Sequence, residues 1–530
     1  MDYSMLVVVL MAVPLAASLL MAALPSKTVP RAVYEAVHLA SLAAVLLLSL
    51  YLVAQVMTSG TPIDAIGLWF HLDALGSVFV ALIGVIGFLT GFYSLSYIRN
   101  DVKIGHMNPS QVKQYYAFFN LFVFTMLVVA MSNNIIMMWV AIEATTLSTV
   151  FLVGAYTTKL CMEAAWKYII VCTAGVAFGL YGTVVVYANA ADVMADAHQA
   201  VFWTSLLPYA SQFDVMLMEI AFVFAAIGFG TKAGLFPMHT WLPDAHSEAP
   251  SPVSGLLSGV LLKCAMLIII RFYILAVQAL GPAFPQTVML ILGICSVGIA
   301  ALAVFSQDDL KRKLAYHSCE NVGIVALCLG FGGPLGVAAA LLHCVTHGMT
   351  KALLFCVSGN VLMKYGTRDL NKISGILKVA PVTGVVMAIG FFALAGFPPF
   401  AMFISEVLAF ISGVVSGNFV IVVVFAIALT IVIAACVHVV TQAVMGTPPE
   451  GMEKGDVGWV ALAPEIALVA MLLWFGVALP QPVLNGIESA TAIVLQEDTD
   501  VLHEAPLFKD LFAMTDQAQD SPSAGASVKE

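Results

Sequence analysis

Apolar residues run along this chain in long blocks separated by short polar stretches. A helix that crosses a bilayer needs about 20 consecutive, mostly apolar residues, so each block reads as one crossing. The blocks fall at 5–24, 34–54, 73–98, 114–131, 134–155, 163–187, 214–235, 253–278, 285–305, 312–330, 334–361, 381–415, 418–443 and 459–478, which makes fourteen. The first has no basic residue ahead of it and carries Asp2, so it is expected to be a membrane helix and not a cleaved signal. The twelfth is too long for one straight crossing, and Gly396-Phe397-Pro398-Pro399 interrupts it. Ala233-Gly234-Leu235-Phe236-Pro237 makes a similar interruption in the seventh, 162 residues before Ala395-Gly396-Phe397-Pro398-Pro399. Five blocks separate the two copies, which gives them opposite orientations in the membrane. Paired interrupted helices at corresponding places point to a transport site, against the alternative that Gly-x-Pro recurs by chance in an apolar chain.

Composition agrees with the block pattern. Hydrophobic residues are 61% of the 530 and charged residues 10%, where a soluble domain carries roughly 25% charged residues. The fold class predicted is all-α and polytopic, with about 14 transmembrane helices. The net charge of −10 argues against a nucleic-acid partner. Its distribution is more informative. Lys27, Arg31, Arg99, Lys103, Lys113, Lys159, Lys167, Lys311, Arg312, Lys313, Lys364, Arg368, Lys372, Lys378 and Lys454 follow odd-numbered blocks, and the even-numbered loops hold no basic residue. The positive-inside rule then makes the odd loops cytoplasmic and puts both termini on the other side. Lys509 and Lys529 lie in the tail, which leaves Lys232, Lys263, Arg271 and Lys351 away from the loops and block starts, inside the membrane spans. The nine cysteines form no C-x-x-C and most sit in apolar runs, so they read as small buried residues. Clustered thiolates for iron–sulfur ligation, H-E-x-x-H, G-x-G-x-x-G and a Walker loop are absent, so no cofactor is expected in this chain. The polar tail from about Glu488 is expected to be disordered over its last fifteen residues, with Ile493, Val494, Leu495, Val501, Leu502 and Leu507 as a possible amphipathic stretch.

Ionisable residues inside membrane segments are functional candidates because each is costly there. Glu143 in the fifth block and Lys232 in the seventh can form a pair whose proton affinity changes with separation; a static ion pair is the alternative. The helix interruption beside Lys232 favours the first, because broken helices expose backbone that lipid cannot satisfy. Lys263 lies far enough inside to relay protons, whereas Arg271 stays protonated and reads as an electrostatic fixture. His343, His347 and Lys351 are spaced i, i+4, i+8. Successive members lie about 40° apart around the helix and about 6 Å apart along it, so one face carries a titratable ladder. Histidines satisfied by neighbouring helices are the alternative, and haem ligation would need axial ligands from facing helices. Glu406 follows the second interruption and is a candidate exit-side carboxylate. His317 and Glu320 are loop ion pairs or part of an uptake path. His239 and Asp244 are supporting candidates, with Asp73, His246, Glu248, Glu219 and Glu465 weaker ones. The run 237–252 is too polar and proline-rich for a helix in lipid and is expected to be a connection on the cytoplasmic side.

These residues carry a family likeness. Gly234-Leu-Phe-Pro-Met-His-Thr-Trp-Leu-Pro-Asp-Ala-His-Ser-Glu-Ala-Pro, followed by Leu-Leu-Lys263, resembles the signature of the antiporter-like membrane subunits of respiratory complex I, multisubunit sodium/proton antiporters and energy-converting hydrogenases. The likeness covers about residues 60–440. It implies fourteen helices with two inverted five-helix repeats, each containing a broken helix. Glu143-Ala-Thr-Thr-Leu-Ser-Thr, Ala164-Ala-Trp-Lys-Tyr-Ile, Ala315-Tyr-His-Ser-Cys-Glu-Asn-Val-Gly and Ser358-Gly-Asn-Val-Leu-Met-Lys-Tyr-Gly-Thr-Arg-Asp-Leu resemble the hydrogenase-4 component F branch of group 4 [NiFe]-hydrogenase and formate hydrogenlyase complexes. The resemblance implies proton-path roles for Glu143, Lys232, Lys263 and Glu406, with His343, His347 and Lys351 as the ladder. Glu320-Asn321 stands where the complex I M chain has Ser-His, which disfavours complex I proper.

The expected organisation is helices one to three in 1–113, a first repeat in 114–280, a second in 281–443, helix fourteen in 444–480 and the polar tail in 481–530. The resemblance implies a proton-translocating subunit of a multisubunit redox complex in a prokaryotic inner membrane. Its partners would be other antiporter-like subunits, small membrane subunits and a soluble arm holding the [NiFe] centre and iron–sulfur clusters. The alternatives are a stand-alone Na+/H+ antiporter subunit, a complex I M-type subunit, or an anchor that has lost transport.

Overall fold

Helices make up nearly all of the computed structural model, which describes residues 3–499 and Leu502. The first two, α1 (Tyr3–Ala23) and α2 (Arg31–Ser59), precede a short hairpin of β1 (Ile63–Ala65) and β2 (Phe70–Leu72). Its strands pair antiparallel with Asp64 opposite His71. Then follow α3 (Ala74–Lys103), α4 (Pro109–Met131), α5 (Ile135–Val153), α6 (Lys159–Val193), α7 (Val215–Ala233) and α8 (Trp241–Glu248). Next are α9 (Ser251–Leu280), α10 (Ala283–Ser306), α11 (Leu310–Phe331) and α12 (Gly333–Tyr365). The last are α13 (Pro381–Leu394), α14 (Ala401–Val415), α15 (Phe419–Val444), α16 (Trp459–Val477) and α17 (Gln481–Leu495). Among the described residues, 13 helices are long and apolar enough to span a membrane. The short apolar pair α13 and α14 together occupy the twelfth predicted block. The chain is a polytopic all-α membrane protein.

Helix starts follow local chemistry. The side chains of Asp73, Asn108, Asn134, Thr158, Asp214 and Asp309 each accept from first-turn backbone N–H groups of the helix they precede. Asp73 and Asn134 are buried, where no water can replace those bonds, so the cap is a strict requirement there. Each interrupted helix closes on a glycine in the left-handed region, Gly234 at φ 85° and Gly396 at φ 66°. The next N–H, from Leu235 or Phe397, reaches back five residues to the Gly230 or Phe392 carbonyl. An X-Pro peptide follows each glycine in the cis form, at Phe236-Pro237 and Pro398-Pro399.

The helices sort by polarity. In α9, α11 and α12, 94% of the most apolar window is buried, against 33% in α2 and α15. The windows of α11 and α12 have mean hydropathies of 1.3 and 1.4, whereas that of α15 reaches 3.3. A helix wrapped by protein can carry charge, and one wrapped by lipid cannot. The three central helices accordingly hold Lys263, Arg271, His317, Glu320, His343, His347 and Lys351, all buried.

Two contacts fix the frame around them. Arg271 in α9 and Asp73 ahead of α3 form a buried bidentate pair at 2.6 and 2.7 Å. Trp203 covers the guanidinium at 4.4 Å and donates its indole N–H to the Arg271 carbonyl. Between α6 and α7, backbones meet at glycines: a Cβ on Gly182 would lie 2.6 Å from the Ala221 carbonyl oxygen and 2.8 Å from the Ala225 nitrogen.

Three segments depart from expectation. Residues 241–248, expected as a connection, form the helix α8 with Trp241, Leu242, Pro243, Ala245 and His246 buried. Pro243 sits in its first turn, where a missing N–H breaks no helical bond, and protein rather than lipid surrounds it. Residues 481–495, expected to begin a polar tail, form α17, which buries Leu484, Ile487, Ala490 and Val494. The expected amphipathic stretch therefore packs on this chain itself through Val494. Val501, Leu507 and the last fifteen residues lie outside the described residues. Lys311 and Lys313, expected in a loop, are buried in the first turn of α11 and donate to the Ala249 and Val304 carbonyls.

Gly182→Val is expected to lower stability by about 1–3 kcal/mol through overpacking. Gly298→Ala, where a Cβ meets nothing within 4 Å, should cost nothing. Thermal unfolding in detergent compares the two. Arg271→Met, which strands the Asp73 carboxylate, is expected to cost about 3–5 kcal/mol. Adding Asp73→Asn, which keeps the helix cap, should recover part of that loss in the same assay.

Candidate functional site

The first interruption sets Lys232 in the last turn of α7, fully buried. Its ammonium donates to Thr146 Oγ1 at 2.7 Å and Tyr168 Oη at 2.6 Å, and sits 4.5 Å from the Tyr168 ring centroid. Trp241 of α8 closes over the same group at 5.8 Å and donates its indole N–H to the Thr231 carbonyl. Thr146 lies one turn beyond Glu143 on α5, and its hydroxyl donates to Glu143 Oε2 at 3.4 Å. Thr173 of α6 donates to the other carboxylate oxygen at 2.7 Å. The structure thus joins Lys232 to Glu143 through one hydroxyl. A hydroxyl both accepts and donates, so it can stand between an ammonium and a carboxylate.

Lys263 is held in the centre of the molecule. Residues Leu257–Leu261 of α9 form a π turn, a feature frequent at functional sites. Lys263 Nζ donates to the Ser258 carbonyl within that turn at 2.6 Å, and Ser258 Oγ meets Ser318 Oγ of α11 at 2.7 Å. The groups that face Lys263 electrostatically include His343, His347 and Lys351.

The second cluster runs along α12. His343, His347 and Lys351 are all fully buried. The His343 and His347 rings lie nearly parallel, 15° apart, with centroids 6.0 Å apart. Asn321 donates its amide to the His317 carbonyl at 2.7 Å and to the Glu320 carboxylate. Its oxygen then faces His343 Nε2 at 3.1 Å, and Ser405 of α14 meets His343 Nδ1 at 3.0 Å. Neither ring nitrogen of His347 has a hydrogen-bond partner among the described residues. Lys351 Nζ donates to the Leu314 carbonyl at 2.6 Å. Glu406 follows Ser405, and its carboxylate folds back against Gly396 at the interruption, where a Cβ would collide with it. His317 Nδ1 stands 3.9 Å from Glu320 Oε2, and its Nε2 3.7 Å from Cys436 Sγ.

The supporting candidates are held in different ways. Asp244 is clamped between Lys167 at 3.1 Å and Arg312 at 2.9 Å. His239 lies at the first interruption, its ring 6.0 Å from that of Phe236 and 6.5 Å from that of Tyr316. Arg271 is the fixture described above. Thr146, Tyr168, Thr173, Asn321 and Ser405 were not among the sequence candidates. Thr146 and Tyr168 lie inside the stretches that carry the family resemblance, and Thr146 shares a helix face with Glu143 at i+3. Nothing along the sequence marks Thr173 or Ser405, which approach from other helices. Among the described residues, no group of three or more His, Cys, Asp and Glu side chains is arranged to hold a metal ion.

Residues 132–433 match the family model described as NADH:quinone oxidoreductase/Mrp antiporter, transmembrane. A relative described as hydrogenase-4 component F homolog, from Methylacidiphilum infernorum, is 41% identical over 351 residues, covering 65% of this chain and 72% of the relative. Among solved structures, a chain of the membrane-bound sulfane sulfur reductase, an archaeal respiratory membrane complex, superposes with a TM-score of 0.83 at 22% identity, covering 92% of this chain and 97% of that one. A chain of the Mrp complex from Dietzia sp. DQ12-45-1b gives 0.82 at 20% identity, covering 93% and 97%. The matched stretch contains both interrupted helices and the buried groups around them, and this chain belongs to the NADH:quinone oxidoreductase/Mrp antiporter transmembrane family.

Proposed function

We propose that this chain is the proton-translocating membrane subunit of a multisubunit redox complex of the energy-converting hydrogenase type. The observation that carries the reading is the hydroxyl-bridged Lys232–Thr146–Glu143 chain at one interrupted helix. The buried ladder His343–His347–Lys351 and Glu406, beside the other, support it. Each cluster joins an ionisable group to a break in the backbone, where a small helix movement changes its surroundings. Residues 114–280 and 281–443 are read as two inverted repeats, each built around one cluster. The similarity to a hydrogenase-4 component F homolog supports the hydrogenase branch. Electrons then travel in partner subunits, with the [NiFe] centre and iron–sulfur clusters in a soluble arm. Other antiporter-like and small membrane subunits flank this chain in a prokaryotic inner membrane, with its basic loops in the cytoplasm and both termini opposite.

In this reading, Glu143 and Lys232 share a proton whose position depends on the geometry at Thr146. Lys263 relays protons to the ladder, and Glu406 releases them at the far end. His317 and Glu320 support the ladder, as His239 and Asp244 support the first interruption.

The whole complex, purified in mild detergent and reconstituted in vesicles, provides the test. Mass spectrometry should find a nickel–iron large subunit with it; small hydrophobic companions alone would favour a stand-alone antiporter. During turnover, Lys232→Ala and Glu143→Gln are expected to abolish lumen acidification per electron transferred. Thr146→Val keeps the shape and removes the bridging hydroxyl. It should slow pumping by about 100-fold, the lower end of what a placed proton-transfer group contributes. Unchanged pumping in all three variants would remove the assignment.

A further inference from the structure

A cavity of about 610 Å³ opens on the face that carries the basic loops, between α3, α8, α11 and the end of α12. Tyr97, Asp101, Tyr156, Lys311, Met363 and Arg368 are among its lining residues. Tyr156 Oη lies 2.7 Å from Asp101 Oδ2 and 3.2 Å from Tyr97 Oη, so the wall carries a connected polar group. Asp101 and Lys311 both line the cavity and interact electrostatically. Lys311 is 1% exposed and donates to the Ala249 carbonyl, at the end of α8. Burial alone would lower the affinity of the Arg368 guanidinium for its proton, but Asp309 and Glu248 outweigh it and hold it above its ordinary range. Arg368 is therefore a fixed charge and not a carrier.

His246 lies on α8, three residues before Ala249, and is fully buried. Neither of its ring nitrogens has a hydrogen-bond partner among the described residues. Its ring is stacked on Phe355 at 5.0 Å, a contact that holds the plane and leaves both nitrogens free. Its carbonyl accepts from Ser254 Oγ, which fixes the backbone beside it. The charged groups that face the ring are Lys311 of α11, Lys351 of α12 and Lys263 of α9. Asp244 and Glu248 on its own helix are engaged by Lys167 and Arg312, and by Arg368. Buried polar atoms in native proteins are nearly always bonded, and one left free calls for a functional account. His246 is such a group, and the lysine that lines the cavity and two lysines of the central cluster are the charges it senses.

We propose that the cavity is the proton uptake mouth of this chain, and that His246 carries protons from it to Lys263 and Lys351. The proposal rests on the proton-translocating reading above. A proton arriving from water in the cavity or from the Lys311 ammonium binds one free nitrogen of His246. The other nitrogen releases a proton to a neutral lysine beyond, and exchange of tautomers returns the ring to its starting state. Each cycle moves one proton and leaves every other bond unchanged.

The test uses the reconstituted complex and a plug placed after folding. Cys161 also lines the cavity, so the test starts from Cys161→Ala, and Met363→Cys then puts a new thiol on the cavity wall. A bulky, membrane-impermeant thiol reagent applied to the basic face is expected to stop pumping in this variant. The same reagent applied to the opposite face, or to the complex with Cys161→Ala alone, should leave pumping intact. His246→Gln should slow pumping by about 100-fold in a complex of unchanged subunit composition. If the plugged complex and His246→Gln both pump at the parent rate while Lys232→Ala does not, the uptake route is wrong and the proton-translocating reading stands. If Lys232→Ala also pumps at the parent rate, both fall.

Discussion

An ammonium group in hydrocarbon must find an oxygen. Even on the lenient insertion scale a charged side chain at the bilayer centre costs about 2.5–3.5 kcal/mol, and this chain buries Lys232, Lys263, Arg271, Lys311, Lys313 and Lys351. The architecture follows from satisfying them. The helices that carry Lys263, Arg271 and Lys351 occupy the middle and the purely apolar ones the outside. Lys263, Lys311, Lys313 and Lys351 each end on a backbone carbonyl. Three of those carbonyls lie at a π turn or a helix end, where the regular ladder of hydrogen bonds is disturbed. Backbone irregularity and buried charge are thus two sides of one solution: each supplies what the other lacks.

The kind of oxygen matters for what each lysine can do. A carbonyl only accepts, so a proton given up by a carbonyl-held lysine must go to some other neighbour. Hydroxyls accept and donate, and Lys232 ends on two of them, Thr146 and Tyr168. Among the described residues, the imidazoles with both ring nitrogens free, His246 and His347, face the carbonyl-held Lys263 and Lys351. The division gives the interior two kinds of step. One passes through a fixed hydroxyl at the first interruption, and the other through rings stacked by Phe355 or His343.

Much of this was readable along the chain, because hydrocarbon enforces simple local rules. The fourteen apolar blocks, the two glycine–proline interruptions and the ladder spacing are each a property of one segment. The i, i+4 spacing of His343 and His347 alone places their rings one turn apart, as observed. Where surroundings decide, reading failed. Residues 241–248 look too polar for a helix in lipid, and they are a helix because other helices and not lipid enclose them. The sequence 481–495 reads as the start of a tail, and its apolar residues find α3 and α12 to pack on. The hairpin strands, at three residues each, are too short to show alternation.

By itself, the amino-acid order determined that the chain spans a membrane many times, where two of its helices break, and which ionisable residues lie in lipid-length segments. Those are consequences of transfer energy and backbone geometry, and both act locally. Tertiary structure alone decided which groups meet. It put a threonine hydroxyl between Lys232 and Glu143, which the sequence suggested as a pair. It tied Arg271 to Asp73, 198 positions away, and enclosed His246 beside a cavity without giving its ring a partner. Hydrogen bonds reach about 3 Å, and no periodicity along one helix records which residue of another comes that close.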